Sequence, residues 1–394
     1  MKRPGERSTS GTAAAVIVPA ARSAACCATL AAAFIAVAPA PLCASDWSRF
    51  RNDAQLTGFT DGALPDALQP LWSFQADTGI ESTAAIVGST VYVASLDGNL
   101  FALDLETGAR KWTYASGEAI KSSPAVHDGV VYFGDEGGIL HAVDAASGSR
   151  RWTFAAEGGI ISSPNHAAGR LLFGSYDNSL YGLDLKDGTL AWRLETEGYV
   201  HATPAIWKGD DGEPLAVSAG CDGALRLVRV KDGGEVRKID LGAYVASSPA
   251  ISGDRAFLGS FDNEVLGVDL RKGTIVWTYA PQDREFPFYA SPAVAGGMVI
   301  IGGRDKRVHA LRAGTGELIW SYATRGRIDA SPVVQGDRIF VASTSGELLA
   351  LDRNGKPVWQ FDAGSAIVAS PSIAAGRLIV GTVDGTLLCF GAPS

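Results

Sequence analysis

Along this chain one short pattern returns about every forty residues: a Trp, an apolar segment ending in Ser-Pro, an Asp-Gly turn, an Ala-Leu-Asp segment and Thr-Gly. A fixed period of that length marks stacked copies of one small supersecondary unit, none of which can bury its apolar faces alone. The Trp copies stand at Trp72, Trp112, Trp152, Trp192, Trp277, Trp320 and Trp359, and Arg237 holds the slot between Trp192 and Trp277. Ser/Thr-Pro follows at Ser123-Pro124, Ser163-Pro164, Thr203-Pro204, Ser248-Pro249, Ser291-Pro292, Ser331-Pro332 and Ser370-Pro371, with Thr83-Ala84 as a divergent first copy. Both tallies give eight copies.

Within a copy the texture is strand, tight turn, strand. Asp97-Gly98, Asp222-Gly223 and Asp384-Gly385 are two-residue hairpin signals flanked by β-branched and aromatic residues. Leu103-Asp104 ends a third strand, and Glu106-Thr107-Gly108 leads into a fourth bearing Trp112. Four antiparallel strands per copy in a radial array predict an all-β fold, an eight-bladed β-propeller. Trp72 precedes the first full copy, and the last copy stops at Leu387-Leu388-Cys389-Phe390 without a fourth strand. The ring is therefore expected to close by lending the Trp72 strand to blade eight. Copy four carries extra residues around Lys208-Gly209-Asp210-Asp211-Gly212-Glu213, and the loop over 281–288 is longer than its equivalents.

The segment Ala102-Leu103-Asp104-Leu105-Glu106-Thr107-Gly108 before Trp112, and the approach Asp46-Trp47-Ser48-Arg49-Phe50-Arg51, resemble the tryptophan-docking repeats of pyrroloquinoline-quinone-type propellers. The resemblance spans residues 46 to 390. WD40 repeats share the period, but their Gly-His and Trp-Asp elements do not recur here. The resemblance implies that each Trp wedges between neighbouring blades, a structural task for a large aromatic. Two lineages share such repeats: the quinoprotein dehydrogenases, and a non-catalytic group that includes the BamB-like outer membrane assembly factors.

Residues 1–44 carry Lys2, Arg3, Arg7 and Arg22, an apolar run from Ala24 to Ala40, and Leu42-Cys43-Ala44. This reads as a signal peptide cleaved after Ala44, so the chain is expected to be exported to a periplasm. Ala40-Pro41-Leu42 is a poor context for lipidation of Cys43. An N-terminal extension over 45–70 and the propeller over 71–394 complete the expected domains. Cleavage removes four of 34 basic residues and Glu6 of 42 acidic ones, leaving 30 against 41, a net charge of −11. That balance disfavours nucleic acid and anionic lipid as partners. Cys221 and Cys389 remain on separate blades, too far apart for a disulfide.

The resembled dehydrogenases imply an adjacent cysteine pair beside the quinone and a calcium ion held by carboxylate and amide oxygens. The expected mature chain has no adjacent cysteines and no Cys-x-x-Cys-His haem site. Asp177-Asn178 and Asp262-Asn263 fall in the repeating turn slot, and the Asp210-Asp211 loop lacks the carboxylate spacing of an EF-hand. His141 and His309 share the slot of Phe101 and Tyr181 and read as packing.

One slot diverges from copy to copy. Two residues before each Ser/Thr of Ser/Thr-Pro stand Glu81, Lys121, Ile161, His201, Ala246, Tyr289, Asp329 and Val368. The slot opens the innermost strand, which places one side chain per blade around one mouth of the central channel. The long loop adds Asp283, Arg284, Phe286 and Phe288, expected as an exposed recognition edge on the same face. Glu81, Lys121, His201, Tyr289, Asp329 and these loop residues are the candidate partner-binding set. The reading is an exported, monomeric, non-catalytic scaffold, similar to the BamB group. It is expected to bind a protein of the cell envelope without spanning a membrane and with no cofactor. The alternative is a quinone-binding oxidoreductase or sensor using the channel.

Overall fold

The computed structural model describes residues 46–393 except Asp210 and residues 282–285. The expected signal peptide and Cys43 lie outside the described residues. Each copy folds as a four-stranded antiparallel sheet, and eight sheets make the propeller. Blade one consists of Ala85–Val87, Thr90–Ala94, Asn99–Asp104 and Arg110–Ala115, and the later blades repeat it. The second and third strands are covered on both faces by neighbouring blades. They accordingly read as unbroken apolar runs such as Val91-Tyr92-Val93-Ala94, all buried. The outermost strand alternates exposed and half-buried residues. Asn178 and Asn263 hold positive φ of 64° and 63°, the left-handed turn conformation that Asn and Gly tolerate.

The Trp and Thr-Gly elements of the repeat meet each other. Trp72 Nε1 donates to the Leu105 carbonyl of the next blade at 2.9 Å, and its ring lies over Gly108. A Cβ on Gly108 would sit 2.7 Å from the indole, and the residue has a φ of +71°, so glycine is required there twice over. Behind each indole stands a small residue of its own blade, Ala102 opposite Trp112 and Gly267 opposite Trp277. In blade four Leu227 stands opposite Arg237, whose guanidinium reaches the Leu270 carbonyl at 2.8 Å. Arginine thus substitutes for the indole as an interblade donor.

The last sheet comprises Ser372–Ala374, Arg377–Gly381, Thr386–Gly391 and, on its outside, Gln69–Gln75. Trp72 pairs with Cys389 in that register. Burial pushes the Cys389 thiol up to about 12, so it is a small hydrophobe here.

The N-terminal extension is more than a linker. Trp47 bridges Ile86 of blade one through two 2.8 Å hydrogen bonds. The carbonyls of Ser48, Ala54, Gln55, Thr57 and Gly58 then accept the N–H groups of Val126, Ile206, Ile251, Val294 and Val334 in turn. Blade three is tied by side chains, with Arg49 Nη1 donating to Asn165 Oδ1 at 2.8 Å. Phe59–Thr60 finally pairs in parallel with Val333–Gln335 of blade seven. Innermost strands have no neighbour on the channel side, and the extension supplies the acceptors that their edge N–H groups need.

Candidate functional site

Because the extension crosses the ends of the innermost strands, the channel opens as a cup of about 520 Å³ with Phe50 among its lining residues. All eight residues of the divergent slot line it, Glu81, Lys121, His201, Tyr289 and Asp329 among them. Below them runs a ring of eight Ser/Thr hydroxyls from the Ser/Thr-Pro slot. Each of seven accepts the backbone N–H of its counterpart one blade back, from Thr83 N to Ser123 Oγ at 3.0 Å through Ser331 N to Ser370 Oγ at 2.9 Å. This explains why seven copies place a hydroxyl residue before proline: it satisfies an edge N–H of the adjacent blade.

Much of the charge on the rim is paired with neighbouring side chains. Lys121 meets Glu136 at 2.7 Å, which raises the lysine's pKa. Arg304 lies 3.6 Å over the Tyr289 ring while holding Asp329 at 2.7 Å, and Arg327 reaches the same carboxylate at 3.1 Å. Tyr176 bonds His201 Nδ1 at 2.8 Å and stacks on Tyr199. Burial holds the His201 imidazole below its ordinary pKa and pushes the Tyr176 phenol up to about 12.

Glu136, Tyr176, Cys221, Phe261 and Arg304 occupy a second divergent slot, one residue before each Asp-Gly-type turn. The divergence of this second slot is as plain in the sequence as that of the first. Cys221 is half-buried there, and burial raises its thiol pKa.

The inserted loop requires a correction. Phe286 is exposed at 45 %. Phe288, expected beside it as a recognition residue, is 1 % exposed and packs with Phe257 and Ile301. It directly precedes Tyr289 and so fills the slot of Ile80, Ile120, Ile160 and Val200, all buried. Asp283 and Arg284 lie outside the described residues.

Three aromatic side chains are exposed among the described residues, and they fall on successive interblade loops at this mouth: Tyr199 at 51 %, Tyr244 at 63 % and Phe286. They form an arc from the blade three–four junction to the blade five–six junction. None of the described residues form a group of three or more His, Cys, Asp or Glu side chains suited to a metal ion.

An eight-bladed tryptophan-docked propeller with one cup of variable side chains defines the class. A family model described as outer membrane protein assembly factor BamB matches residues 65–138, 116–236, 209–329 and 304–392, and the chain belongs to that family. No curated protein sequence matches it. Among solved structures it is similar to BamB from Moraxella catarrhalis, at 19% identity and a TM-score of 0.71, over 83% of this chain and 100% of that one. A europium-containing methanol dehydrogenase aligns at 14% identity and a TM-score of 0.73, over 88% and 98% of the two chains. The computationally designed Ika8 protein aligns at 16% identity and 0.71, over 82% and 100%. At these identities the likeness is one of fold, which an assembly factor, a dehydrogenase and a designed protein share.

Proposed function

We propose that the chain is an exported, non-catalytic scaffold that binds a protein partner in the cell envelope through the cup face, as the family description of an assembly factor suggests. The observation that carries this reading is the arc of Tyr199, Tyr244 and Phe286 beside the cup. Although Tyr199 stacks on Tyr176, all three leave large apolar area exposed to water, and at interfaces such aromatics supply most of the binding energy. The paired rim charges around Lys121 and Asp329 suit the polar border of such a surface.

Site-specific photocross-linking in cells tests it. A cross-linker at Tyr244 is expected to capture one discrete envelope protein, and the same group at Val236, on an outer strand, is not. Equal labelling from both positions, or none from Tyr244, removes the reading.

The hydroxyl-lined cup supports a second reading, a ligand on the channel axis. Seven of its hydroxyls have a lone pair engaged by backbone N–H groups and an O–H still free to donate, which suits a carboxylated molecule such as the quinone. The metal half of quinoprotein chemistry finds no matching ligand cluster among the described residues. Spectral titration with pyrroloquinoline quinone, with and without calcium, separates the two: stoichiometric uptake at micromolar concentration favours the cofactor.

A further inference from the structure

Away from the cup, at the opposite ends of the strands, a groove of about 450 Å³ lies between blades two and three. That size falls in the ~300–1,000 Å³ range of small-molecule sites. Its apolar surface comes from Val130, Tyr132, Trp152 and Leu185. The junction departs from the others in one respect. Six docking indoles donate their N–H to a carbonyl of the next blade. At the preceding junction Tyr92 Oη and the Trp112 indole share the Ala145 carbonyl, both at 3.1 Å; here Tyr132 Oη donates to the Leu185 carbonyl at 3.2 Å, but the Trp152 N–H has no acceptor among the described residues.

Other donors in the groove are also unspent. Arg170 Nη1 holds Asp184 at 2.8 Å, but its Nε is buried without a partner. The Lys186 ammonium forms no ion pair among the described residues, and its side chain is exposed. The Asp184 and Asp144 acceptors, by contrast, are engaged. Asp184 takes Arg170 and the Lys186 backbone N–H, while Asp128 points to solvent at the groove's edge, 3.4 Å from His127. Asp144, next to the groove, takes Arg151 at 2.7 Å. With free donors beside the Trp152 ring and the nearby Asp184 and Asp144 carboxylates engaged, the groove favours an anion, and the apolar wall selects the body that carries it.

We propose that this groove binds an oxyanion borne on an aromatic or apolar body, with the Trp152 indole N–H, the Lys186 ammonium and Arg170 as its donors. The site is independent of the cup. Its ligand is a small aromatic acid or an acidic–aromatic peptide segment, since both present a carboxylate beside a ring.

Indole nitrogen-15 NMR of the full chain tests it, with the Trp152 signal assigned through Trp152→Phe. Benzoate is expected to shift that signal and leave the other indole signals in place. Acetate, lacking the ring, and benzyl alcohol, lacking the charge, should each bind more weakly. Lys186→Ala, an exposed change that the fold tolerates, should weaken benzoate about tenfold, the loss of one charge-assisted hydrogen bond. Acetyl-Asp-Phe-amide distinguishes the sources: tighter binding than benzoate marks a protein segment, and weaker binding marks a free acid. A Trp152 signal unmoved by benzoate, benzyl alcohol matching benzoate, or unchanged affinity in Lys186→Ala overturns the proposal.

Discussion

Trp359 Nε1 donates to the backbone carbonyl of Leu68 at 3.0 Å, across 291 residues of sequence. Through this bond blade seven docks onto the segment that leads into the strand completing blade eight, so residues 68–75 and the last blade meet at one seam. The hydroxyl ring also lacks its eighth link at that seam, between Ser370 and Thr83, among the described residues.

Stability should therefore be most sensitive at the seam. Trp72→Ala removes a half-buried indole and its 2.9 Å bond. The expected cost is about 3 kcal/mol, the low end for Trp truncation because the ring is not fully enclosed. Deleting residues 46–76 leaves Thr386–Gly391 as an open sheet edge and should cause aggregation on heating. Chemical denaturation and light scattering check both. Melting of the deletion like the intact chain would show that the ring closes without this strand.

The two phenylalanines of the inserted loop should behave oppositely. Phe288→Ala opens a cavity among Phe257, Ile301 and His309 and should cost about 3–5 kcal/mol. Phe286→Ala should change stability by less than about 0.5 kcal/mol while reducing partner cross-linking. Thermal melts alongside photocross-linking yield check the contrast, and equal destabilisation by both refutes it.

Lys121→Ala and Tyr289→Ala belong with Phe286→Ala. Lys121→Ala breaks a rim ion pair with Glu136, and Tyr289→Ala removes the contact with Arg304 and an edge-on contact with Phe261 at 4.8 Å, all at the channel mouth, so the melt should move little. Cross-linking from Tyr244 should fall in both. Asp211→Ala, in the exposed blade-four hairpin, is the control and should leave it unchanged.

Acid should loosen the extension through His166. Its pKa is lowered to about 3 by burial, by Arg49 and by His127. Arg49 Nη2 lies 2.6 Å from its Nε2, and the tilted His127 ring packs against it with centroids 4.0 Å apart. The folded chain therefore keeps the imidazole neutral, while the unfolded chain protonates it below about pH 6.5. Stability tied to this group is fully present above pH 6.5 and is lost progressively between pH 6.5 and pH 3. Melting temperatures across that window check the slope. His166→Gln, which keeps an acceptor for Arg49 but cannot titrate, should flatten it.

The sequence by itself determined the number of blades, the docking positions and the divergent ring at the channel mouth. These are legible because each repeat states the same local constraints eight times. A position that stays constant, such as the Gly under an indole, is required by the fold, while one that varies, such as Lys121 or Tyr289, is released from it. Only the tertiary structure decided the path of residues 46–60, because that segment has no internal repeat and bonds to innermost-strand edges that exist only once the ring has formed. Phe288 was legible in the sequence too, since it stands one residue before Tyr289 in the slot of Ile80, Ile120, Ile160 and Val200, although its charged neighbours pointed to an exposed edge. Only the tertiary structure decided the unspent N–H of Trp152: Tyr132 donates to the Leu185 carbonyl as Tyr92 does to that of Ala145, yet Trp112 shares its carbonyl with the tyrosine and Trp152 does not, a difference of placement that the repeated Tyr and Trp do not encode.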